Sequence, residues 1–341
     1  MVLLGLAVVV ATLLTPMRRH LRTRWPWIGL GIAALLVAPN LVWQVAHGWP
    51  SLEFYHNADV FKNVTTPPQR VLALQVLFMN PGTLPLWAAG LVFLVANRTR
   101  SLRQLGWVGV VLLVMLMAAQ KSRPDRIAGI YPLLFAAGAV WFERWTLERR
   151  RWLRPLLVVW LALWAVALAP IGMPLLSPER LGRYVAAVGI VPQIEAGPGK
   201  TAELPQWFAD RFGWESFASD VARVAARLDP DERAAAVIFA PSYGQAGALE
   251  LYGRSDDLPP VYSSHNNYYL WGPPERPFST AIVVGDSEER LSELFEEVEL
   301  AAVHECDPCM RWRDEMPIWV ARHPRKGLEM ATIWRESKHF E

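Results

Sequence analysis

Negative charge is scarce in the first half of this 341-residue chain. Residues 1–173 contain five Asp and Glu against 17 Lys and Arg, whereas residues 174–341 contain 27 against 17, so the overall net charge of +2 conceals +12 and −10. Only 22 charges in 173 residues, separated by long apolar runs, exclude an ordinary soluble domain for the first half. The basic residues lie in short loops rather than on one polar face, which argues against nucleic-acid binding.

Cysteine is also scarce, because the chain contains only Cys306 and Cys309. This spacing is compatible with redox chemistry or with half a zinc site, for which His304 is the one nearby third ligand. In a domain outside the membrane, a structural disulfide is the favoured interpretation. No Ser-His-Asp order, nucleotide-binding glycine pattern or complete metal-ligand set occurs, so we predict no cofactor and no metal, and no pattern indicates a divalent cation.

The first half does contain six uncharged apolar runs. A membrane-spanning helix needs about 20 apolar residues; three runs reach this length, and flanking Trp and basic side chains can extend the shorter ones. The triplet Asn80-Pro81-Gly82 predicts a kink or a short re-entrant segment, followed by a span from about Leu84. The runs cover 1–17, 28–45, 71–96, 105–119, 127–142 and 155–176. We therefore expect a polytopic α-helical membrane domain of about six spans over residues 1–176.

Arginine-rich loops set the expected orientation of these spans. The loops at 18–26, 97–104 and 143–154 are basic and are therefore expected in the cytoplasm, which places the loop at 46–70 and the C-terminal half outside. Residues 121–126 are basic as well, although the alternation of spans puts them on the outer face. Basic groups there can bind a lipid phosphate, and the alternative is a short hairpin of membrane anchors. The candidate phosphate ligands are Lys121, Arg123 and Arg126.

The second half is typical of a small α/β domain. Residues 177–202 are rich in Pro and Gly and predict a linker, and residues 203–341 alternate between helical and strand patterns. Helices are predicted at 204–228, 245–252 and 288–297, the last with Ser287 as its cap, and strands at 234–240, 280–284, 298–304 and 317–322. This alternation favours a partly parallel sheet in an extracytoplasmic α/β domain.

Several stretches resemble the bacterial dolichyl-phosphate-mannose–protein mannosyltransferase-like membrane glycosyltransferases (family 39, C-type fold). They are 39–44, 47–50, 52–54, 121–126 with 131–132, 264–266 with 271–273, and 338–341. The resemblance implies a multi-pass protein of the bacterial plasma membrane that transfers a sugar from a polyprenyl-phosphate donor on the outer face. It also implies an acidic residue as general base in the first outer loop. Nothing before Ile28 resembles that loop, so we expect the chain to lack the N-terminal catalytic part.

Aromatic side chains in two predicted outer loops suggest where a sugar or acceptor would bind. Residues 262–273 combine four aromatic residues with a His and two Asn, and aromatic faces with amide groups suit a sugar; aromatic residues that pack on the rest of the protein are the alternative. Glu53 lies among aromatic residues and is the candidate base, with a salt bridge to Lys62 or Arg70 as its alternative role. The candidate sugar or acceptor ligands are Trp49, Tyr55, His265, Asn266, Asn267 and Trp271.

Two functions are compatible with these features. The first is a membrane glycosyltransferase whose partners are a polyprenyl-phosphate-linked sugar, the lipid bilayer and an unspecified acceptor. The second is a non-catalytic membrane subunit that binds a lipid-linked sugar or scaffolds a cell-envelope glycosylation complex. A transporter is disfavoured because the sequence shows no internal repeat.

Overall fold

The computed structural model describes residues 2–63, 65–119, 123–192, 202–255, 257–327 and 329–340. The chain divides into two compact units. The helical unit comprises Met1–Val45 and Asn63–Leu176, and the sheet unit comprises Ala46–Lys62 and Ser177–Glu341. Segment 46–62, which we expected in the membrane domain, therefore belongs to the sheet unit.

The first half of the chain is helical. In chain order its α-helices are α1 (Val2–Leu14), α2 (Trp25–Ala46), α3 (Pro50–Asn57), α4 (Pro68–Phe78), α5 (Leu84–Val95), α6 (Arg100–Ala118), α7 (Tyr131–Trp145) and α8 (Leu153–Gly172). Three of them, α2, α6 and α8, are long and apolar enough to cross a membrane. The pair α4–α5 passes the same test together, which gives up to four candidate spans among the described residues. Helices α1 and α7 have 13 and 15 residues, so the expectation of about six spans is not confirmed.

The predicted break at Asn80-Pro81-Gly82 is present. Helix α4 ends at Phe78, α5 begins at Leu84, and the two are bent by 95°. Asn80 adopts a positive φ of 67° and its side-chain oxygen accepts a hydrogen bond from the Gly82 amide at 3.0 Å. The indole of Trp160 on α8 donates to the Gly82 carbonyl at 2.9 Å. These bonds satisfy backbone groups that the break removes from the helical pattern, which is a requirement in an apolar environment.

The core of the helical unit lies between α1, α5, α6 and α7. Helices α5 and α7 approach each other through two glycines: a Cβ at Gly138 would overlap the carbonyl oxygen of Leu86, and a Cβ at Gly90 would overlap that of Leu134. Small residues at such a crossing allow close backbone packing. Helices α2 and α8 contribute little to this core, since the apolar windows of these helices are 6% and 0% buried.

The second half forms helices around one five-stranded sheet. Its helices are α9 (Pro178–Ala187), α10 (Gln206–Ala209), α11 (Trp214–Arg227), α12 (Pro230–Ala234), α13 (Tyr243–Tyr252), α14 (Asn267–Leu270), α15 (Glu288–Leu294) and α16 (Met330–Glu336). Its strands are β1 (Ala236–Phe239), β2 (Val261–Tyr262), β3 (Thr280–Val284), β4 (Phe295–His304) and β5 (Met316–Pro324). The strand order is β2-β1-β3-β5-β4, with parallel pairs on either side of β1 and antiparallel pairs on either side of β5.

Strands β1 and β3, in the middle of the sheet, are buried on both faces. Ile238 and Ile282 face a core with α11 and α13, while their neighbours Val237 and Ala281 face a second core with Leu291 of α15. A strand that is buried on both faces reads as a continuous apolar run, which is why β1 and β3 are recognisable in the sequence.

Three predicted elements of this half are corrected. The linker 177–202 begins with helix α9, whose Leu181 and Val185 are buried. The helix predicted at 204–228 is two helices, because Gly213 at φ +83° separates α10 from α11. The helix after Ser287 ends at Leu294 rather than at residue 297, since Phe295 begins β4. The sequence patterns also gave no indication of β2 or α16.

Candidate functional site

Three distant segments meet in the sheet unit. They are helix α3, the loop that contains residues 262–273, and the C-terminal residues 338–340. The tail pairs with the loop through the backbone: the Asn266 amide donates to the His339 carbonyl at 2.7 Å, and the His339 amide donates to the Ser264 carbonyl at 3.1 Å. The side-chain amide of Asn57 on α3 donates to the Phe340 carbonyl at 2.7 Å. The tail therefore connects α3 to the loop, and we call this the tail cluster.

Glu53 joins the tail cluster through an ion pair with Lys338. The Lys338 ammonium donates to Glu53 Oε2 and lies 5.5 Å and 5.0 Å from the ring centroids of Tyr269 and Phe340. Glu53 and Lys338 are each about one-third exposed. The structure thus gives Glu53 an ion-pair partner, Lys338, that was not among those considered from the sequence.

The other candidate ligands on α3 and the loop differ in accessibility. His265 is buried at 8% exposure, and its ring lies 5.1 Å from the ring centroids of both Tyr243 and His339, so it supports the loop rather than presenting a surface. Trp49 has a positive φ of 62° immediately before α3 and is exposed. Tyr55 is also exposed and stacks edge-on against Phe54 at 5.9 Å.

Trp271 forms an exposed aromatic platform with a residue that we did not single out. Its ring is 70% exposed and lies 4.2 Å from that of Tyr268. The Tyr268 hydroxyl donates to Glu250 Oε2 at 2.9 Å, and burial together with this carboxylate raises the pKa of Tyr268 to about 12. The exposed indole of Trp271 can stack on a sugar ring, and the Glu250 carboxylate, which is bonded to the neighbouring Tyr268, is a hydrogen-bond acceptor. Glu250 lies on α13, 18 residues before Tyr268, and the sequence gave no signal for this pairing.

Asn266 and Asn267 shape the loop through their backbone positions. Asn266 has a positive φ of 52°, a conformation that Asn adopts more readily than most residues, and Asn267 begins α14. One turn later the Trp334 indole donates to the Tyr269 carbonyl at 3.1 Å, and the two rings stack with centroids 5.9 Å apart. Helix α16, which the sequence did not predict, therefore packs against the aromatic loop and supports it.

The predicted phosphate-binding loop belongs to the helical unit. Lys121 lies outside the described residues. Arg123 and Arg126 are both exposed, and Arg123 Nε lies 3.3 Å from Asp125 Oδ1. This is a solvent-exposed pair, for which a contribution of about 0.2–1 kcal/mol is typical.

A buried polar network holds that loop from inside the helical unit. The Gln75 side chain on α4 donates to the Pro124 carbonyl at 2.6 Å, and the Tyr131 hydroxyl donates to Gln75 Oε1 at 2.8 Å. Gln75 and Tyr131 are each 1% exposed. Because polar groups buried among apolar helices are costly unless they are bonded, this network fixes where the chain enters the 3₁₀ helix Pro124–Ile130.

The cysteine pair lies at a different place in the sheet unit. The structure joins Cys306 and Cys309 as a disulfide with Cα atoms 5.7 Å apart. Their loop docks through the buried Arg313, which donates to the carbonyls of Phe212 at 3.1 Å and Ala209 at 3.3 Å. Burial lowers the pKa of Arg313, although the nearby Asp210 carboxylate opposes this effect.

His304, the third ligand considered for a zinc site, is bound elsewhere. Its Nδ1 lies 2.6 Å from Asp220 Oδ2, and the ring packs edge-on against Phe217 at 5.5 Å. Among the described residues, no group of three or more His, Cys, Asp or Glu side chains could hold a metal ion.

Comparison of the chain with protein-family models, with curated proteins and with solved structures finds no match.

Proposed function

We propose that this chain is a polytopic membrane glycosyltransferase of the bacterial plasma membrane. In this proposal about six spans carry an extracytoplasmic α/β domain, and the protein transfers a sugar from a polyprenyl-phosphate donor to an acceptor on the outer face. The resemblance of its motifs to the family 39 glycosyltransferases motivates the proposal. Its main structural support is the tail cluster, because three of the resembling stretches, far apart in the chain, meet around one carboxylate.

The transfer assigns a role to each group. The bond between the sugar C1 and the phosphate oxygen breaks, a bond forms between C1 and the acceptor oxygen, and the acceptor proton passes to a carboxylate. Glu53 is the proposed base. The polyprenyl phosphate leaves with its negative charge. For the helical unit taken by itself, Arg123 and Arg126 are proposed to bind a lipid phosphate through paired N–H donors. Trp271 and Trp49 offer exposed aromatic faces for a sugar ring.

The Lys338–Glu53 ion pair also favours a second candidate. A carboxylate whose oxygen is occupied by an ammonium group is not positioned to meet an acceptor hydroxyl, which suits a non-catalytic subunit that binds a lipid-linked sugar. In the enzyme, Lys338 must release Glu53 when the acceptor binds. The enzyme and the non-catalytic subunit would therefore both bind the lipid-linked sugar, and only the enzyme would turn it over.

Purified full-length protein in detergent, supplied with a radiolabelled polyprenyl-phosphate hexose and a cell-envelope acceptor fraction, tests the proposal. We expect release of polyprenyl phosphate, and we expect Glu53→Gln to lower it by about 10²–10⁴-fold, the range for loss of a general base, while donor binding is kept. Glu275→Gln, which removes an exposed carboxylate elsewhere in the sheet unit, is the matched control. Binding without turnover in the wild type would favour the accessory subunit, and full turnover in Glu53→Gln would reject Glu53 as the base.

A further inference from the structure

The turn between α7 and α8 concentrates positive charge at the end of an apolar helix. Residues 143–154 contain five arginines against two glutamates, a net charge of +3. Arg149, Arg150 and Arg151 are consecutive and exposed. Within the described part of the chain, none of the five arginines forms an ion pair with a carboxylate. Like charges this close repel one another, so the turn carries an excess of positive charge that an anion would stabilise.

The backbone of this turn is held in place. Arg154 Nε donates to Thr146 Oγ1 at 3.0 Å, and its Nη2 donates to the Glu143 carbonyl at 3.1 Å. Thr146 is fully buried, and its hydroxyl donates to the Phe142 carbonyl at 2.8 Å. Arg151 Nε donates to the Leu147 carbonyl at 2.7 Å. The bonds to Phe142 and Glu143 satisfy two of the last carbonyls of α7. Among the five arginines, Arg151 and Arg154 form such bonds, Arg144 lies over the Phe93 ring at 5.5 Å, and Arg149 and Arg150 remain exposed at the turn.

Three tryptophans lie close in sequence to the exposed arginines, and one of them contacts Arg150. Trp141 and Trp145 stack with ring planes 10° apart and centroids 5.6 Å apart, and the Arg150 guanidinium lies 4.5 Å from the Trp145 centroid. Trp152 is 62% exposed and directly precedes the 20-residue apolar helix α8. Trp rings prefer the headgroup level of a bilayer, where one side is apolar and the other wet. If α8 crosses the membrane, its first residues place these Trp and Arg side chains at the level of the lipid headgroups.

We propose that the α7–α8 turn is a binding site for the phosphate headgroup of an anionic phospholipid. Arg149 and Arg150 donate paired N–H groups to the phosphate, and Trp145 holds the Arg150 guanidinium by cation–π contact. Trp152 packs beside the upper acyl chain. The site is distinct from the loop at Arg123 and Arg126, and it requires the turn to lie at the membrane surface but not glycosyl transfer.

A second basic loop provides a matched control. Residues 97–104 contain Arg98 and Arg100, both exposed, and no tryptophan. A general attraction of basic loops to anionic lipid would act on both loops. A specific lipid site would bind lipid only at the α7–α8 turn. The two double variants Arg149→Gln/Arg150→Gln and Arg98→Gln/Arg100→Gln therefore separate general attraction from specific binding.

The test is lipid retention by the full-length protein in neutral detergent, with labelled phosphatidylglycerol, phosphatidylcholine and inorganic phosphate as probes. We expect the wild type to retain phosphatidylglycerol over phosphatidylcholine, and Arg149→Gln/Arg150→Gln to lower its affinity by about 10-fold or more, with Arg98→Gln/Arg100→Gln unchanged. Arg150→Lys, which keeps the charge but loses the planar guanidinium group, should have an intermediate affinity.

Equal losses of affinity in both double variants, or no loss in either, overturn the proposal. Competition by millimolar inorganic phosphate as strong as that by the lipid would show a phosphate site without lipid specificity, and would also overturn it.

Discussion

At the residue scale, the hydrogen bond from Tyr268 to Glu250 affects the pH at which the tyrosine ionises. The pKa of Tyr268 is raised to about 12 by burial and by the Glu250 carboxylate, whereas an unfolded chain has a tyrosine pKa of about 10. The folded state therefore holds this proton more tightly, and the resulting stabilisation is complete below about pH 10 and is lost as the pH rises toward 12. We predict that Tyr268 ionises near pH 12 in an ultraviolet titration and at a lower pH in Glu250→Gln, where burial still keeps its pKa above the ordinary value.

The difference between the titrations of wild type and Tyr268→Phe isolates this one group among eight tyrosines. Glu275→Gln should leave the difference curve unchanged, because that carboxylate is not bonded to the tyrosine. Appearance of the Tyr268 phenolate near pH 10 in the wild type would contradict the prediction.

Single residues also show which parts of the candidate site could be predicted from the sequence. Trp271 was identified from its aromatic, amide-rich loop, and the structure places it on the surface. His265, chosen by the same pattern, is buried, because a loop pattern does not reveal which ring faces inward. Lys338 could not be predicted as the partner of Glu53, since the two are 285 residues apart and only tertiary folding brings them together.

At the scale of elements, the crossing of α5 and α7 depends on the absence of a side chain. A Cβ at Gly138 would overlap the Leu86 carbonyl oxygen. We predict that Gly138→Ala separates the helices and destabilises the protein by about 1–3 kcal/mol, the usual cost of overpacking. A thermal melt of detergent-purified protein measures the effect.

The control for this substitution is Gly31→Ala on α2. A Cβ at Gly31 would meet nothing within 4 Å, and Ala favours a helix over Gly by up to about 1 kcal/mol. We expect an unchanged or slightly higher melting temperature. If Gly138→Ala melts as Gly31→Ala does, the two helices are not in close contact.

The bond between α4 and the basic loop predicts a positioning role for Gln75. Gln75→Leu removes the donor to the Pro124 carbonyl and leaves the Tyr131 hydroxyl without its acceptor, which costs about 1–3 kcal/mol for buried groups. We predict weaker binding of polyprenyl phosphate, because the backbone before Arg126 is no longer fixed. Equilibrium binding to purified protein measures this.

Gln104→Leu is the matched control for Gln75. Gln104 Nε2 donates to Thr12 Oγ1 at 2.7 Å in the same unit and does not contact the loop. Its loss should lower stability and spare the affinity for polyprenyl phosphate. Equal affinities in the two variants would show that the Gln75 network is only structural.

Elements were predictable where local chemistry decides them. Strand β3 occupies the predicted residues 280–284, and Ser287 caps α15 by accepting from the Arg290 amide at 3.3 Å. The helix predicted across Gly213 failed because apolar spacing continues through a glycine whose positive φ breaks the helix. Helix α16 was missed because its role is to support Tyr269, which is a tertiary contact.

At the scale of the whole molecule, the number of spans determines the side on which the sheet unit lies. With six spans, the basic loops at 97–104 and 143–154 lie on the same face and the C-terminus lies on the opposite one. With four spans, where α1 and α7 do not cross, the two loops lie on opposite faces. Three spans, with α4–α5 re-entrant, also separate the two loops. The relative side of these loops therefore distinguishes six spans from three or four.

Single cysteines can report this difference, since the chain contains only Cys306 and Cys309. In a Cys306→Ser/Cys309→Ser background, we predict that Ser101→Cys and Glu148→Cys are both protected from a membrane-impermeant thiol reagent in intact cells, and that Ser216→Cys in the sheet unit is labelled. The reason is that arginine-rich loops remain in the cytoplasm, and only an even number of crossings between residues 101 and 148 keeps both there. All three cysteines should react after permeabilisation. Labelling of only one of Ser101→Cys and Glu148→Cys in intact cells would reject six spans, and it would require α6 to cross without a return through α7.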